Sequence, residues 1–482
     1  MRSRGGPGDD SRDPDPPQRT KVQPLDAAAL AELQRCIQGR LITPGHPSYE
    51  EHRKVWNGSI DRYPALVARC MSVADVIAAL SFARRTATRV AVRGGGHSFA
   101  GLGVCDGGIV IDLGSMKRIH VDPEKRTVRA QPGVLLGELD HATQAFGLAV
   151  PVGSVTHTGL AGLTLGGGIG WLMRKYGLAV NQLLSVELVT ADGEVLTASD
   201  TENADLFWGV RGGGGNFGIV TSFEFRLNEL GPIVFSGLLL WPLDQGPEVV
   251  PFYRDWAASA PDELTTALIL RRAPAVDPVP EALRGQQVVV VASRWAGPLE
   301  QGDTVLEPMR LAGSRLFDLS APRPFLEHQR MFDTSFPHGI WVYSKATDVP
   351  ALNDDVVATT LGHADLVESP RSAIAAWQLG GAVARVDELD TPFGSRSSGY
   401  LIDVVGATDT AEGFEQQRNW AQDCWAALSP HHSGVYVNWL MEDGEKRVRQ
   451  AYGDIRYGRL KALKSRYDPD NVFQLNQNVT PN

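Results

Sequence analysis

His97 stands out chemically because of what precedes it. It follows Gly94-Gly95-Gly96, which themselves follow the alternating stretch Arg89-Val90-Ala91-Val92-Arg93, and Ser98 comes next. That alternation is typical of a short strand. A strand opening into three glycines presents bare backbone N–H groups, and successive amides form an anion-binding concavity that any Cβ would obstruct. An imidazole at the rim of such a loop is free to act as a nucleophile toward a bound cofactor. Read alone, the stretch is equally a glycine-rich turn with a surface histidine. It is not a dinucleotide fingerprint, since no G-x-G-x-x-G opens a helix, and it is not a G-x-x-x-x-G-K-[ST] phosphate loop.

Two further glycine clusters tip the balance. The second runs Gly153-Ser154-Val155-Thr156-His157-Thr158-Gly159-Leu160-Ala161-Gly162 and continues as Gly166-Gly167-Gly168-Ile169-Gly170. The third, Arg211-Gly212-Gly213-Gly214-Gly215-Asn216-Phe217-Gly218, leads directly into a strand over Ile219–Leu227. Three bare loops within about 130 residues predict an elongated, polyanionic ligand held largely by main chain. A β structure with glycine at each repeated corner would show a repeat period, and none is present.

The elements that must position these loops are readable in outline. A helix is expected over Leu25–Gly39. A second begins at Ser72-Val73-Ala74-Asp75, with Val76, Leu80 and Ala83 on one face, and joins strands at Ala65–Arg69 and Arg89–Arg93 into a β-α-β start. Gly108–Leu113 reads as a buried strand. Hairpins are expected over Ile119–Ala130, turning at Asp122-Pro123, and over Val186–Ala198, turning at Asp192-Gly193, with a helix from Leu135 to Phe146 between them. Composition shifts at Asn228–Pro232. Beyond it lie strands at Phe235–Trp241, Thr265–Arg271 and Gln287–Trp295, amphipathic helices and a Pro-rich loop over Ala273–Pro280. This pattern predicts an antiparallel sheet with helices on one face, where substrate would be recognised. Near the end, Val435-Tyr436-Val437-Asn438-Trp439 alternates as a strand, placing Tyr436 and Asn438 on one face. A helix over Lys446–Tyr467 follows.

The chain has 482 residues, 43% apolar and 21% charged, with 51 glycines and a formal charge of −10. That length suits two domains or one large composite. The negative charge, with no basic stripe, argues against a nucleic-acid partner. No apolar run reaches the roughly 18 residues a membrane span needs. The polar first 21 residues read as a disordered tail rather than a signal peptide, so a cytoplasmic location is expected. Cys36, Cys70, Cys105 and Cys424 contain no C-x-x-C pair and read as buried free thiols. His431-His432 has no acidic or thiol partner nearby, so no metal site is expected.

Four motifs occur in order: Arg93-Gly-Gly-Gly-His97-Ser98, Gly166-Gly-Gly-Ile-Gly170-Trp171, Arg211-Gly-Gly-Gly-Gly-Asn216-Phe217-Gly218, and Tyr467-Asp-Pro-Asp-Asn471 with Asn476-Gln-Asn478. Together they resemble the berberine-bridge-enzyme-like branch of the FAD-linked oxidases, in the vanillyl-alcohol-oxidase superfamily, from Leu25 to Pro481. Within that branch the chain is most similar to singly tethered bacterial members such as 6-hydroxynicotine oxidase and to aromatic-polyketide tailoring flavoenzymes. The resemblance implies an α+β fold: a two-subdomain PCMH-type FAD-binding domain plus a substrate domain with an antiparallel sheet covered by helices. The expected bounds are a disordered tail at 1–24, the FAD-binding domain at 25–230 and the substrate domain at 231–432. The segment 433–482 is expected to return to the FAD-binding domain.

The resemblance further implies an FAD cofactor bound through Arg93, Gly94, Gly95, Gly96, His97 and Ser98 in the first loop. The second loop would contribute Gly153, Ser154, His157, Thr158, Gly159, Gly162, Gly167, Gly168 and Gly170. Gly218, Ile219, Val220, Asn476 and Asn478 complete the set. His97 would carry an 8α-histidyl bond, which raises the flavin's potential and prevents its loss. Many members carry a second, cysteinyl tether two residues after the glycine matching Gly153; Val155 stands there, so no second link is expected. His157 either touches the flavin or serves as a loop donor. The implied reaction is hydride abstraction from a C–H next to O or N of a small, secondary-metabolite-like substrate, with reoxidation by O2. Tyr436 and Asn438 are the expected catalytic residues, Tyr436 acting as base or as wall, with Tyr400, Asp403, Tyr343 and Gln378 weaker candidates. The carboxylate that some tailoring members place just before Leu-Gly-Gly-Ala-Val is missing, because Ala375-Ala376-Trp377-Gln378 precede Leu379. A tailoring oxygenase that stores oxygen on the flavin, or a catalytically idle flavin binder, remain alternatives, and either a monomer or a homodimer is compatible.

Overall fold

Strand pairing explains how the glycine loops converge. The computed structural model describes residues 25–277, 279–441 and 444–482; the expected disordered tail at 1–24 lies outside them. In the first sheet, Leu66–Arg69, Ile109–Asp112 and Val90–Arg93 run parallel in that order, with Arg40–Ile42 antiparallel at one edge. The helix Val73–Arg85 makes the crossover from Leu66–Arg69 to Val90–Arg93, as the β-α-β reading expects. Ser72 caps it by accepting the Asp75 N–H. The buried Asp75 carboxylate does not close a capping box; it accepts from the N–H groups of Gln38, Gly39 and Met71, holding the end of the helix Ala27–Cys36. Parallel strands need cover on both faces, and Leu66, Ala68 and Ile111 on one side and Val67 and Val110 on the other are all inaccessible.

The second sheet is antiparallel. Both expected hairpins form, Ile119–Asp122 with Thr127–Ala130 and Leu183–Val189 with Val195–Ser199, and they flank Ile219–Arg226. That central strand starts directly after the third glycine cluster, so the cluster is fixed at the end of a strand paired on both sides.

The third sheet is an eight-stranded antiparallel sheet that includes Ile233–Pro242, Gln287–Trp295, Leu264–Arg272, Ala373–Gln378, Tyr400–Thr408 and Trp341–Val349, neighbours in that order. The period of two along each strand separates two surfaces. Leu268, Leu270, Ile374, Ala376, Ile402 and Val404 pack under the helices Gly246–Ala258, Asp354–Asp365 and Phe414–Ala427. Ala267, Ile269, Trp377 and Leu401 point the other way, against Trp171, Met173 and Tyr436.

Two local expectations are corrected. Val435–Trp439 is not a strand: Tyr436 is extended and Val437–Trp439 form a 3-10 turn, because among the described residues the pairing here is limited to an isolated bridge between Gly434 and Asp348. Cys36 is exposed at the end of its helix, whereas Cys70, Cys105 and Cys424 are buried free thiols. The last helix, Gly444–Tyr467, breaks at Gly453, where φ is 69°.

The returning C-terminal segment is fastened by one buried ion pair. Lys464 Nζ lies 2.6 Å from Asp468 Oδ2 with both side chains inaccessible, and it also donates to the carbonyls of Asn216 and Phe473. Asp468 in turn accepts from the N–H groups of Val472 and Phe473. Removing one partner of such a pair leaves a buried, uncompensated charge. Lys464→Met is therefore expected to destabilise the protein by about 3–5 kcal/mol, with Lys464→Met/Asp468→Asn less damaging than the single change. Chemical denaturation of the three proteins checks the order.

Candidate functional site

All three glycine clusters open onto one cavity of about 380 Å³ between the first two sheets and the bare face of the third. Its wall contains Gly94, Gly95, Gly96, His97 and Ser98 from the first loop and Gly153, Ser154, Thr158, Gly159 and Gly162 from the second. Gly218, Ile219 and Val220 follow from the third, with Tyr436, Asn438 and Asn476 from the C-terminal segment. Arg93 also reaches the wall, but its guanidinium is bound behind the loop to Asp112 Oδ2 at 2.9 Å. Five of the expected ligand-binding residues lie elsewhere. Gly167, Gly168 and Gly170 sit behind the wall, where a Cβ would strike Phe393, Ala179 and the Val152 carbonyl respectively, so close packing requires them. His157 stands behind His97, and Asn478 lies outside the lining.

The first two loops touch through their backbones. A Cβ on Gly95 would lie 2.5 Å from Gly159 Cα, and one on Gly159 would lie 2.4 Å from Gly95 N. No side chain fits on either side of that contact. Among the described residues, no hydrogen bond of the chain takes up the backbone N–H groups of Gly94 to Ser98, all of which belong to residues on the cavity wall.

His97 is held from two sides. The Trp56 indole stacks on its ring at 4.3 Å and 16°, and its Nε2 lies 2.8 Å from His157 Nδ1. His338 packs against His157 with ring centroids 4.9 Å apart. Burial, and then the neighbouring His157 and His338, push the His97 pKa well below the ordinary histidine value. The imidazole is therefore neutral at neutral pH, and among the described residues no hydrogen bond occupies its Nδ1.

Tyr436 and Asn438 do come together, although by a 3-10 turn rather than a strand. The Tyr436 oxygen accepts from Asn438 Nδ2 at 2.8 Å and from the Gly168 N–H at 3.0 Å. Burial nevertheless pushes the phenol up to about 12, and no cation stands beside it to oppose that. Tyr436 is accordingly a phenol with one proton to donate, not a base at neutral pH.

Asp403 lines the same cavity and is the carboxylate there without an ion pair. Ser344 Oγ donates to its Oδ1 at 2.6 Å. Burial raises its pKa to about 7, against which the Ser344 hydrogen bond acts only in part. Strand register places it directly across from Ala375, so a carboxylate stands one strand away from the position where sequence reading found none. The other weak candidates lie outside the cavity. Gln378 and Tyr400 face the helices, Gln378 bonded to Thr266 and the Ala257 carbonyl, and the Tyr343 hydroxyl accepts from Gln422. Trp56, His338, Trp377 and Arg271 were not singled out from sequence. Each is isolated in the chain; for Arg271 and Trp377 alone, strand alternation gave a facing signal.

Residues 64–199 match the FAD binding domain family, and residues 435–480 match the family described as berberine and berberine-like. An FAD-linked oxidoreductase of Dictyostelium discoideum is 32% identical over 93% of this chain and 96% of its own length. The (R)-6-hydroxynicotine oxidase of Paenarthrobacter nicotinovorans is 32% identical over 92% and 97%. Among solved structures, 6-hydroxy-D-nicotine oxidase from Arthrobacter nicotinovorans superimposes with a TM-score of 0.82 at 30% identity, covering 92% of this chain and 98% of that one.

The residues present fit an FAD. A pyrophosphate offers only acceptors, and the first loop lines the cavity with amides that no group of the described chain takes up, at glycines where a Cβ would clash. Asn476 Oδ1, a buried acceptor without a partner on the same wall, suits a hydroxyl or N–H donor elsewhere on FAD. Gly95→Ala is expected to separate the two loops, costing about 1–3 kcal/mol and most of the bound flavin, whereas Gly45→Ala, away from the cavity and with nothing within 4 Å of its Cβ, leaves both unchanged. Thermal melting and the flavin-to-protein absorbance ratio of the two variants test this.

Proposed function

This chain belongs to the berberine-like family of FAD-linked oxidoreductases, and on that footing we propose that it is an oxidase carrying a singly tethered flavin. When bound, FAD supplies a two-electron acceptor for a hydride from a C–H next to O or N, and O2 takes the electrons onward. The observation that carries the reading is the pairing of His97 with His157 at the mouth of the first glycine loop. With the shared proton on His97 Nε2 and His157 Nδ1 accepting it, the lone pair of His97 Nδ1 would be left free to hold a flavin at its 8α carbon. Trp56, stacked on the ring, would keep the imidazole in one plane. At the position where relatives carry a cysteine stands Val155, which lines the cavity and offers no second nucleophile.

For turnover, Asp403 is the group poised to remove a substrate O–H or N–H proton near pH 7. Tyr436, locked by Asn438 and Gly168, orients the substrate through its single donor. Trp377 and Phe332, at 6.3 Å and edge-on, keep that end of the cavity apolar and exclude water.

Outcomes are expected for both the tether and turnover. Acid-precipitated wild-type protein stays yellow and carries the mass of one FAD; His97→Ala binds flavin but releases all of it on precipitation. His157→Ala still binds flavin but forms the covalent adduct at least about tenfold more slowly, as expected on losing a proton acceptor. In turnover, a base raised to about 7 is inactive while protonated, so the rate climbs as pH rises through that value and levels off above it. Asp403→Asn lowers the plateau by about 100-fold or more and removes the inflection; a rate profile of the variant retaining the wild-type inflection assigns the proton to another group.

A further inference from the structure

The face of the third sheet that looks into the cavity carries a second charged group, Arg271, and its surroundings bear on which substrates fit. Arg271 and Ile269 point to the cavity while Leu268 and Leu270 point to the helices. The guanidinium is held by neutral oxygens: Nε donates to the Arg272 carbonyl, one Nη to Ser335 Oγ at 3.2 Å and the other to the Pro370 carbonyl at 2.8 Å. Three of its five N–H groups are used, and among the described residues none of its hydrogen-bond partners is a carboxylate. The charge that acts on it is Arg371, a second cation, itself matched to Asp409. Burial and that neighbour lower the Arg271 pKa to about 10, so it remains charged at neutral pH. Arg174 is also enclosed on carbonyl oxygens, but it pins the packing of Met173–Tyr176 against the substrate sheet rather than facing the cavity.

The sheet register then measures the site. Arg271 pairs with Ala373, which pairs with Val405; in the next row on the same face, Ile269 pairs with Ala375, which pairs with Asp403. Arg271 and Asp403 are thus two strands and two residues apart, roughly 12 Å along the diagonal of a sheet of ordinary spacing. The floor between them is made of two alanines, which leave room for a flat body, and Phe332 and Trp377 wall it with aromatic surface.

Resting on the oxidase reading above, we propose that this chain acts on planar aromatic acids, whose oxyanion is bound by Arg271 while the end to be oxidised lies beside Asp403. A carboxylate or an ionised phenol supplies the missing counter-charge and takes up the two spare N–H groups, and a charge-assisted pair in an enclosed site discriminates strongly against a neutral isostere.

The test uses the purified yellow holoenzyme, titrated calorimetrically with benzoate, benzamide and 4-nitrophenolate. Benzoate or 4-nitrophenolate is expected to bind about tenfold or more tightly than benzamide, and the better of the two names the acid. Arg271→Gln abolishes the preference while benzamide affinity stays within about twofold, and Arg271→Lys restores part of it. Equal affinity for all three probes in the wild type, or an anion preference that survives in Arg271→Gln, overturns the proposal. A purely structural Arg271 lowers melting temperature and flavin content in Arg271→Gln and leaves the anion-to-amide ratio of the folded fraction unchanged, which also overturns it. A colourless protein that takes up no flavin defeats the oxidase reading instead, so the two failures are distinct.

Discussion

The contact of Gly95 with Gly159 is the constraint on which the site rests. Two main chains meet where neither residue can carry even a methyl group. One belongs to a loop leaving a parallel strand and the other opens the helix Leu160–Gly166, so the contact welds the two α/β units edge to edge. It is reinforced by the bridge between Leu135 and Gly159 and by the Leu136 and Gly137 N–H groups donating to the carbonyls of Thr158 and Thr156. From it follow the free amides of the first loop and the approach of His97 to His157, since both histidines lie two residues from the point of contact.

The third sheet solves a different problem. Period-two alternation sends Ile374, Ala376, Ile402 and Val404 under the helices and leaves Ala373, Ala375, Asp403 and Val405 on the cavity. The helix side is close-packed and provides stability. The cavity side has small residues where volume is needed and a few large aromatic ones where water is to be excluded. A carboxylate on such a surface loses hydration without gaining a cation, and that imbalance brings Asp403 near neutrality in its titration.

Two kinds of buried charge bear on the site. Lys464 with Asp468, and Arg93 with Asp112, are matched at hydrogen-bond distance and hold segments of chain in place. Asp403 and Arg271 sit on the cavity with only neutral partners. Matched pairs suppress chemistry because each charge is already answered. The unmatched ones retain it, at a cost in stability that the surrounding packing must offset.

The sequence by itself determined the three glycine loops, both hairpins, the β-α-β start and the large antiparallel sheet. These depend on local rules: glycine for bare backbone, alternation for strands, turn residues for hairpins. The same rules misassigned Val435–Trp439, because alternation reports a face but not whether a partner strand exists, and only Gly434 found one. Gly167, Gly168 and Gly170 looked identical to cradle glycines, since a residue without a side chain does not say what crowds it. Tertiary structure alone decided that His97 meets His157, that Trp56 covers it, and that Asp403 rather than Tyr436 titrates near neutrality. Those facts are distances and dielectric surroundings produced by residues up to hundreds of positions apart, and no local pattern encodes them.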